Sequence, residues 1–306
     1  MRWRKLGLVY AADGKLPWAQ SHAFAPTPVM MQNGVIRVYV TSCDGDMVGR
    51  VGHVDLDAAD PTRILRVADA PVLDIGAPGC FDDNGVVCTS VVEVGDELWM
   101  YYAGFQLGKK VRYYLFSGRA VSADGGKTFI RQSAVPILDR SDGERFVRSG
   151  PFVLRDGPSR FRMWYISGDE FINVAGKDVP RYGIRYLESA DGIGWSRSGV
   201  PVISPAGDDE YGFGRPFVTR TPSGYRIWYS LRSRSNWYRI GFADSEDGLT
   251  WTRHDDDAGI DVSASGWDSG IVCYAAVFQS NGQTFMLYNG NDYGRTGFGA
   301  AVLETD

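Results

Sequence analysis

Cysteine and histidine are scarce in this chain. Four cysteines (Cys43, Cys80, Cys88 and Cys273) and three histidines are spread over 306 residues. No two cysteines stand as C-x-x-C, which removes the common zinc and dithiol signatures. Cysteines in or beside strands behave as small buried apolar residues, so no metal and no cofactor is expected. Long apolar runs are missing as well. After the basic start Met1-Arg2-Trp3-Arg4-Lys5, the apolar run extends only from Leu6 to Ala12 before Asp13. That is too short for a secretory signal, and no stretch could span a bilayer. The expected location is therefore the reducing cytoplasm, with no membrane insertion. Charge of one sign is not in large excess either. The net charge of −5 gives no electrostatic reason to expect nucleic acid.

What the chain has instead is a repeat. An apolar–aromatic–Tyr strand recurs roughly every 60 residues: Met100-Tyr101-Tyr102, Met163-Trp164-Tyr165, Ile227-Trp228-Tyr229 and Met286-Leu287-Tyr288, with a weaker Val38-Tyr39-Val40 first. A second signature follows three of these: Ser122-Ala-Asp124-Gly125 then Phe129, Ser189-Ala-Asp191-Gly192 then Trp195, and Ser245-Glu-Asp247-Gly248 then Trp251. Asp-Gly between apolar runs is a hairpin signal, with Asp capping backbone N–H groups and Gly supplying a positive φ. Short strands at this period predict an all-β five-bladed propeller, with residues 1–306 as a single domain.

Each unit reads as four strands. The first is predicted at Val29 to Met31, Val86 to Val92, Pro151 to Leu154, Pro216 to Thr219 and Ala275 to Phe278. The second is the aromatic–Tyr strand. The third is predicted at Leu115 to Val121, Gly183 to Leu187 and Arg239 to Ala243. The fourth carries Phe129-Ile-Arg131, Trp195-Ser-Arg197 and Trp251-Thr-Arg253. The last unit lacks a fourth strand, and Trp3-Arg4 echoes Trp251-Thr-Arg253. The N-terminal strand is therefore expected to complete the last blade and remove an open sheet edge.

Aligning the units on their second strands brings an acidic residue before the first strand into register in four of five: Asp83, Glu144, Glu210 and Asp268. The first unit offers only His22 there. Arg148 and Arg215 follow in two units, and either could receive a carboxylate or phosphate, or pair with Glu144 and Glu210. Carboxylates gathered on the axis would raise one another's pKa values, and nearby arginines would lower them, which is how one site obtains an acid and a base. Phe81, Phe146, Tyr211, Phe213, Trp267 and Tyr274 could stack on sugar faces. Arg232, Arg234, Asn289, Asn291 and Asp292 are further polar candidates near strand ends. His53 and His254 read as surface or outer-strand residues. The same acidic residues could instead cap turns.

The blade count, the second strands and the Ser-x-Asp-Gly-x-x-Trp turns resemble the five-bladed glycoside hydrolases of families 43, 32, 68 and 130. The resemblance extends over essentially the whole chain. Ser122 to Phe129 is similar to the Asp box of sialidases, a structural hairpin. Phe81-Asp-Asp-Asn-Gly-Val86, Gly266-Trp-Asp-Ser269 and Tyr288-Asn-Gly-Asn291 are similar to glycosidase-like proteins of bacterial cell-surface polysaccharide pathways. The resemblance implies a glycoside hydrolase-like carbohydrate-processing enzyme, with Glu210 as general acid and Asp83 or Asp268 as base or nucleophile. Glu144 and His22 are further catalytic candidates, and Arg148, Arg215, Trp267, Tyr274, Phe81, Tyr211 and Asn291 are expected to bind substrate. The chain departs from that pattern in its first blade, where Ala25-Pro26-Thr27 stands without the hydrolases' Asp. Arginines at 148 and 215 also fit a phosphorylase of the family 130 kind. The competing expectation is a carbohydrate-binding propeller that has lost catalysis. A protein-interaction propeller fits less well, because such propellers carry Trp-Asp or kelch repeats.

Overall fold

The computed structural model describes residues 1–304. Its strands fall into consecutive antiparallel groups. The first holds β2 (Ser21–Met30), β3 (Val35–Cys43), β4 (Gly49–Asp57) and β5 (Ile64–Val67). The second holds β6 (Val86–Val94), β7 (Glu97–Leu107), β8 (Tyr113–Ser122) and β9 (Ile130–Arg131). The third holds β10 (Val147–Arg155), β11 (Phe161–Val174), β12 (Lys177–Ser189) and β13 (Val200–Ile203), and the fourth β14 (Glu210–Thr221), β15 (Gly224–Ser233), β16 (Trp237–Ser245) and β17 (Thr252–Arg253). In the last, β18 (Cys273–Ser280), β19 (Gln283–Asn289) and β20 (Phe298–Leu303) are joined by β1 (Trp3–Tyr10). The pairing Trp3↔Leu303 through Tyr10↔Phe298 closes this sheet with the N-terminus, as expected.

The first strands touch one another in a closed cycle, β2 to β6 to β10 to β14 to β18 and back to β2. They are longer than the sequence suggests, and all but β6 start further upstream. The reason is a bulge in each, which breaks the period-2 pattern. At Ala25, Arg215 and Tyr274 the bulge takes a positive φ, as it does at Gly150. Glu210 and Arg148 therefore lie inside strands rather than in turns before them. In the third unit, Trp195 to Arg197 is not a strand, and the fourth strand is β13.

Neighbouring units are tied by the repeat itself. In three units the first aromatic residue of the apolar–aromatic–Tyr motif donates to a carbonyl in the Ser-x-Asp-Gly turn of the next unit. Tyr39 Oη reaches Gly126 O at 3.0 Å, Tyr101 Oη reaches Gly192 O at 2.8 Å, and Trp164 Nε1 reaches Gly248 O at 2.9 Å. The turns hold their shape through the Asp: Asp247 Oδ1 accepts from the backbone N–H groups of Leu249 and Thr250, both at 2.8 Å. The N–H of Thr250, then that of Leu249, holds the Asp247 carboxyl down at about 2. Arg215 of β14 ties together three first strands, its own, β18 and β2. Its Nη1 donates to Tyr274 O and Ala275 O, and its Nη2 to Pro26 O and Thr27 Oγ1 at 2.7 and 2.8 Å. Burial pulls this guanidinium down to about 10.

Candidate functional site

The aligned carboxylates do not gather on the axis. In four units the second-strand tyrosine donates to a carboxylate, which a cation also holds. Tyr165 Oη lies 2.7 Å from Glu144 Oε2, with Arg148 Nε at 3.0 Å. Tyr288 Oη lies 3.0 Å from Asp268 Oδ2, with Lys5 Nζ at 2.6 Å. Tyr229 Oη lies 2.6 Å from Asp255 Oδ1, with Arg253 Nε at 2.9 Å from Oδ2. Tyr102 Oη lies 3.0 Å from Asp82 Oδ2, with Arg131 Nε at 2.7 Å. In the first unit Val40 stands in place of the tyrosine, so no such clasp forms.

These clasps fix the protonation states of two sequence candidates. Burial raises the Asp268 carboxyl, but the hydrogen bonds from Lys5, Ser263 and Tyr288 outweigh it and hold it below the usual carboxylate range. Glu210 is forked by Arg253, Nη2 to Oε1 at 2.6 Å and Nη1 to Oε2 at 2.9 Å. Burial opposes that fork, and the net effect again lowers its pKa. Asp83 differs from the others. It has no cation partner within salt-bridge reach among the described residues, and its Oδ2 accepts the Gly79 N–H at 2.8 Å. It lines a surface cleft of about 350 Å³ with Ile75, Pro78, Asn84, Gln106 and Leu107.

Several other candidates are structural in their contacts. Phe81 is buried and stacked on Tyr102. Phe213 packs edge-on to Tyr229, and Phe146 packs against Tyr114 and Phe171. Trp267 packs on Tyr288 with centroids 5.1 Å apart. Asn291 Oδ1 caps Gly270 N at 2.7 Å. Asn289 is fully buried and bridges Ala23 O, Ala25 N and Gly297 O. His53 is buried on β4 rather than exposed, because its side chain packs against Tyr39 and beside Asp55.

Tyr211 and Tyr274, by contrast, belong to a cluster on the face where the first strands begin. Arg232, near the end of β15, is 5% exposed, and its guanidinium lies 4.5 Å from the Tyr211 ring centroid, 4.8 Å from Tyr182 and 5.5 Å from Tyr238. Tyr238 packs edge-on to Tyr274 and Tyr293, and Phe24 packs on Tyr274 at 4.7 Å. Tyr113 sits within electrostatic reach of Tyr182, Arg232 and Tyr293. A glycine at 212 makes room for this cluster: a Cβ there would stand 3.1 Å from both Tyr182 and Arg232. The hydroxyls of Tyr113, Tyr182, Tyr238, Tyr274 and Tyr293 donate no hydrogen bond to any described residue. Core tyrosines 39, 101, 102, 165, 229 and 288 each have an acceptor.

His22 joins this face through α1 (Asn291–Gly294), which packs on β2. Its Nδ1 lies 2.9 Å from Ser21 Oγ. Burial and then Arg295 lower its pKa against the opposing pull of Asp292, so the ring is neutral at pH 7. Backbone strain collects here too: His22, Tyr274, Asp292 and Tyr293 all take positive φ values between 53° and 65°. Such strain costs on the order of 1–3 kcal/mol per residue and concentrates at ligand sites. Tyr113, Tyr182, Tyr238 and Tyr293 fall outside the two repeated motifs, so the sequence does not mark them.

The chain matches no family model. It is 41% identical over 304 residues to "Uncharacterized protein Rv1502" of Mycobacterium tuberculosis (strain ATCC 25618 / H37Rv), which spans 99% of this chain and 100% of that protein. Among solved structures, one described as a glycoside hydrolase superposes with a TM-score of 0.75 at 20% identity, over 99% of this chain and 92% of that one. A thermostable family-43 glycoside hydrolase superposes with a TM-score of 0.70 at 16% identity, over 95% and 92%. This chain thus has the all-β propeller-type fold of these glycoside hydrolases.

Proposed function

We propose that this chain, which belongs to the family of the mycobacterial protein Rv1502, is a single-domain five-bladed propeller that binds a saccharide on the face where its first strands begin. The observation that carries the reading is the tyrosine cluster. Aromatic faces suit the C–H faces of a sugar ring, and hydroxyls without protein partners are free to meet its hydroxyl groups. The propeller-type fold shared with glycoside hydrolases supports the same ligand class. Cleavage needs two carboxylates across the scissile bond, one of them protonated. Glu144, Glu210 and Asp268 are each held by a cation, and Glu210 and Asp268 are held ionised, so the binding reading is favoured over hydrolysis. We place the protein in the cytoplasm, in cell-surface polysaccharide metabolism. Its four free thiols suit a reducing compartment.

Hydrolysis is the second reading, and one observation favours it: Asp83 is the sequence-aligned carboxylate that combines a cleft with no cation. The test is a thermal-shift and calorimetric screen of neutral and acidic oligosaccharides, followed by analysis of the recovered glycan. Glycan bound and recovered intact supports binding. Shortened glycan, with turnover lost in Asp83→Asn, would establish hydrolysis. No binding across the screen, together with Tyr182→Ala and Tyr238→Ala indistinguishable from the parent, would sink the saccharide reading.

A further inference from the structure

Arg232 is a buried cation with no counter-charge among the described residues. The groups around its guanidinium are tyrosines. Its one hydrogen bond is from Nη1 to Pro180 O at 3.2 Å, with the Tyr211 hydroxyl beside it, and its Nε is buried without a partner. Arg119 is also buried with its Nε unpartnered, but its guanidinium lies on the single ring of Trp99 at 4.3 Å, outside the tyrosine cluster. The remaining buried arginines are compensated. Arg148 is paired with Glu144, and Arg215 donates four hydrogen bonds to three carbonyls and a hydroxyl. Removing a guanidinium from water without an anion is costly, and stacking on three rings returns only part of that cost.

We propose that Arg232 and the surrounding phenols form a receptor for the acid group of the ligand, so that the saccharide bound here is anionic, bearing a carboxylate or a phosphate. This rests on the saccharide reading above and specifies its substrate class. The guanidinium fork can donate through Nε and Nη2 to two oxygens of one acid group. The hydroxyls of Tyr113, Tyr182, Tyr238 and Tyr293 supply donors for the remaining oxygens and for the sugar.

The experiment is calorimetric titration of the full chain with glucuronic acid, galacturonic acid and glucose 1-phosphate, against glucose, galactose and inorganic phosphate. An acidic sugar is expected to bind about 10- to 100-fold tighter than its neutral counterpart, the range of a charge-assisted pair. Preference for the uronates or for the sugar phosphate identifies the acid group. In Arg232→Met the preference should disappear while the melting temperature is held, because no protein anion is orphaned. If that variant does not fold, Arg232→Lys keeps the charge and loses the fork, and it should weaken the preference. Equal binding of glucose and glucuronate, or an acid preference that survives Arg232→Met, overturns the proposal. Inorganic phosphate binding that depends on Arg232, with no sugar bound, would support the anion receptor and sink the saccharide reading.

Discussion

Replacing Glu144 with alanine separates a structural carboxylate from a catalytic one by the sign of its effect. Glu144 is fully buried. It accepts from Arg148 Nε, Tyr165 Oη and Ser167 Oγ at 3.0, 2.7 and 2.8 Å, and from Gly199 N at 3.3 Å. Removing it strands a buried guanidinium and leaves the Tyr165 and Ser167 hydroxyls short of an acceptor, while the Gly199 N–H keeps Tyr165 Oη at 3.1 Å. Breaking a buried pair in this way costs about 3–5 kcal/mol. At this chain length about 2 °C of melting temperature is lost per kcal/mol, so Glu144→Ala should melt about 6–10 °C below the parent in a thermal scan at pH 7. A carboxylate kept for catalysis against the demands of folding would do the reverse, because relieving a functional site tends to stabilise. Asp83→Ala is the internal control: it loses one solvent-near hydrogen bond, about 1 kcal/mol. The paired change Glu144→Leu with Arg148→Met should regain the part owed to the stranded charge but not the parts owed to Tyr165 and Ser167. A Glu144→Ala melting temperature within about 2 °C of the parent would refute the reasoning.

Two other perturbations test the frame. Deleting residues 1–10 removes β1, exposes the edge of β20 and strips Lys5 from Asp268. The truncated chain should lose its cooperative melt by circular dichroism, and an unchanged transition would refute closure by the N-terminus. Acid should also unfold the protein. Asp124, Asp247, Asp268 and Glu210 have folded pKa values below their ordinary ones, so the unfolded chain takes up protons first and stability falls as pH drops through the window from about 4 to about 2. Urea midpoints should be flat from pH 5 to 7 and fall at pH 3, and an equal midpoint at pH 3 would count against the clasps.

Much of the architecture is legible in the sequence because local and long-range signals agree. The aromatic–Tyr strands are buried on both faces and recur at one period, the Asp-Gly turns fix the hairpins, and Trp3 announces the closing strand. The carboxylate register is also real, but its meaning is not legible. Alignment shows that acids recur before first strands. It does not show that Glu144 and Asp268 turn sideways to the tyrosine of their own sheet, while Asp82 and Asp255 take that place in two other units. At Asp82-Asp83 the buried partner of Tyr102 is Asp82, one residue from the aligned position, within the turn that precedes β6. The tyrosine cluster escaped for a different reason. Its members come from β8, β12, β14, β16, β18 and α1. Tyr182 and Tyr238 share a register, each seven residues before the serine of its Ser-x-Asp-Gly turn, but the others do not, so the repeat does not mark the cluster as a whole. Only the closed cycle of first strands brings them together.

The closing strand sets an order of events in synthesis. β1 is the first strand made and the last to find its partner, since residue 3 waits for residue 303. Until β20 is complete, a nascent chain carries β1 unpaired, and Trp3 cannot reach its place against Trp228. Joining distant ends adds little to the equilibrium cost, because loop entropy grows only with the logarithm of length. The burden is kinetic, since contacts this remote are slow to form and leave apolar edges open meanwhile. Any fusion at the N-terminus would sit at the seam that must close last. Met1 is already packed there, with its terminal amine on the Asp257 carbonyl and its sulfur against Arg226.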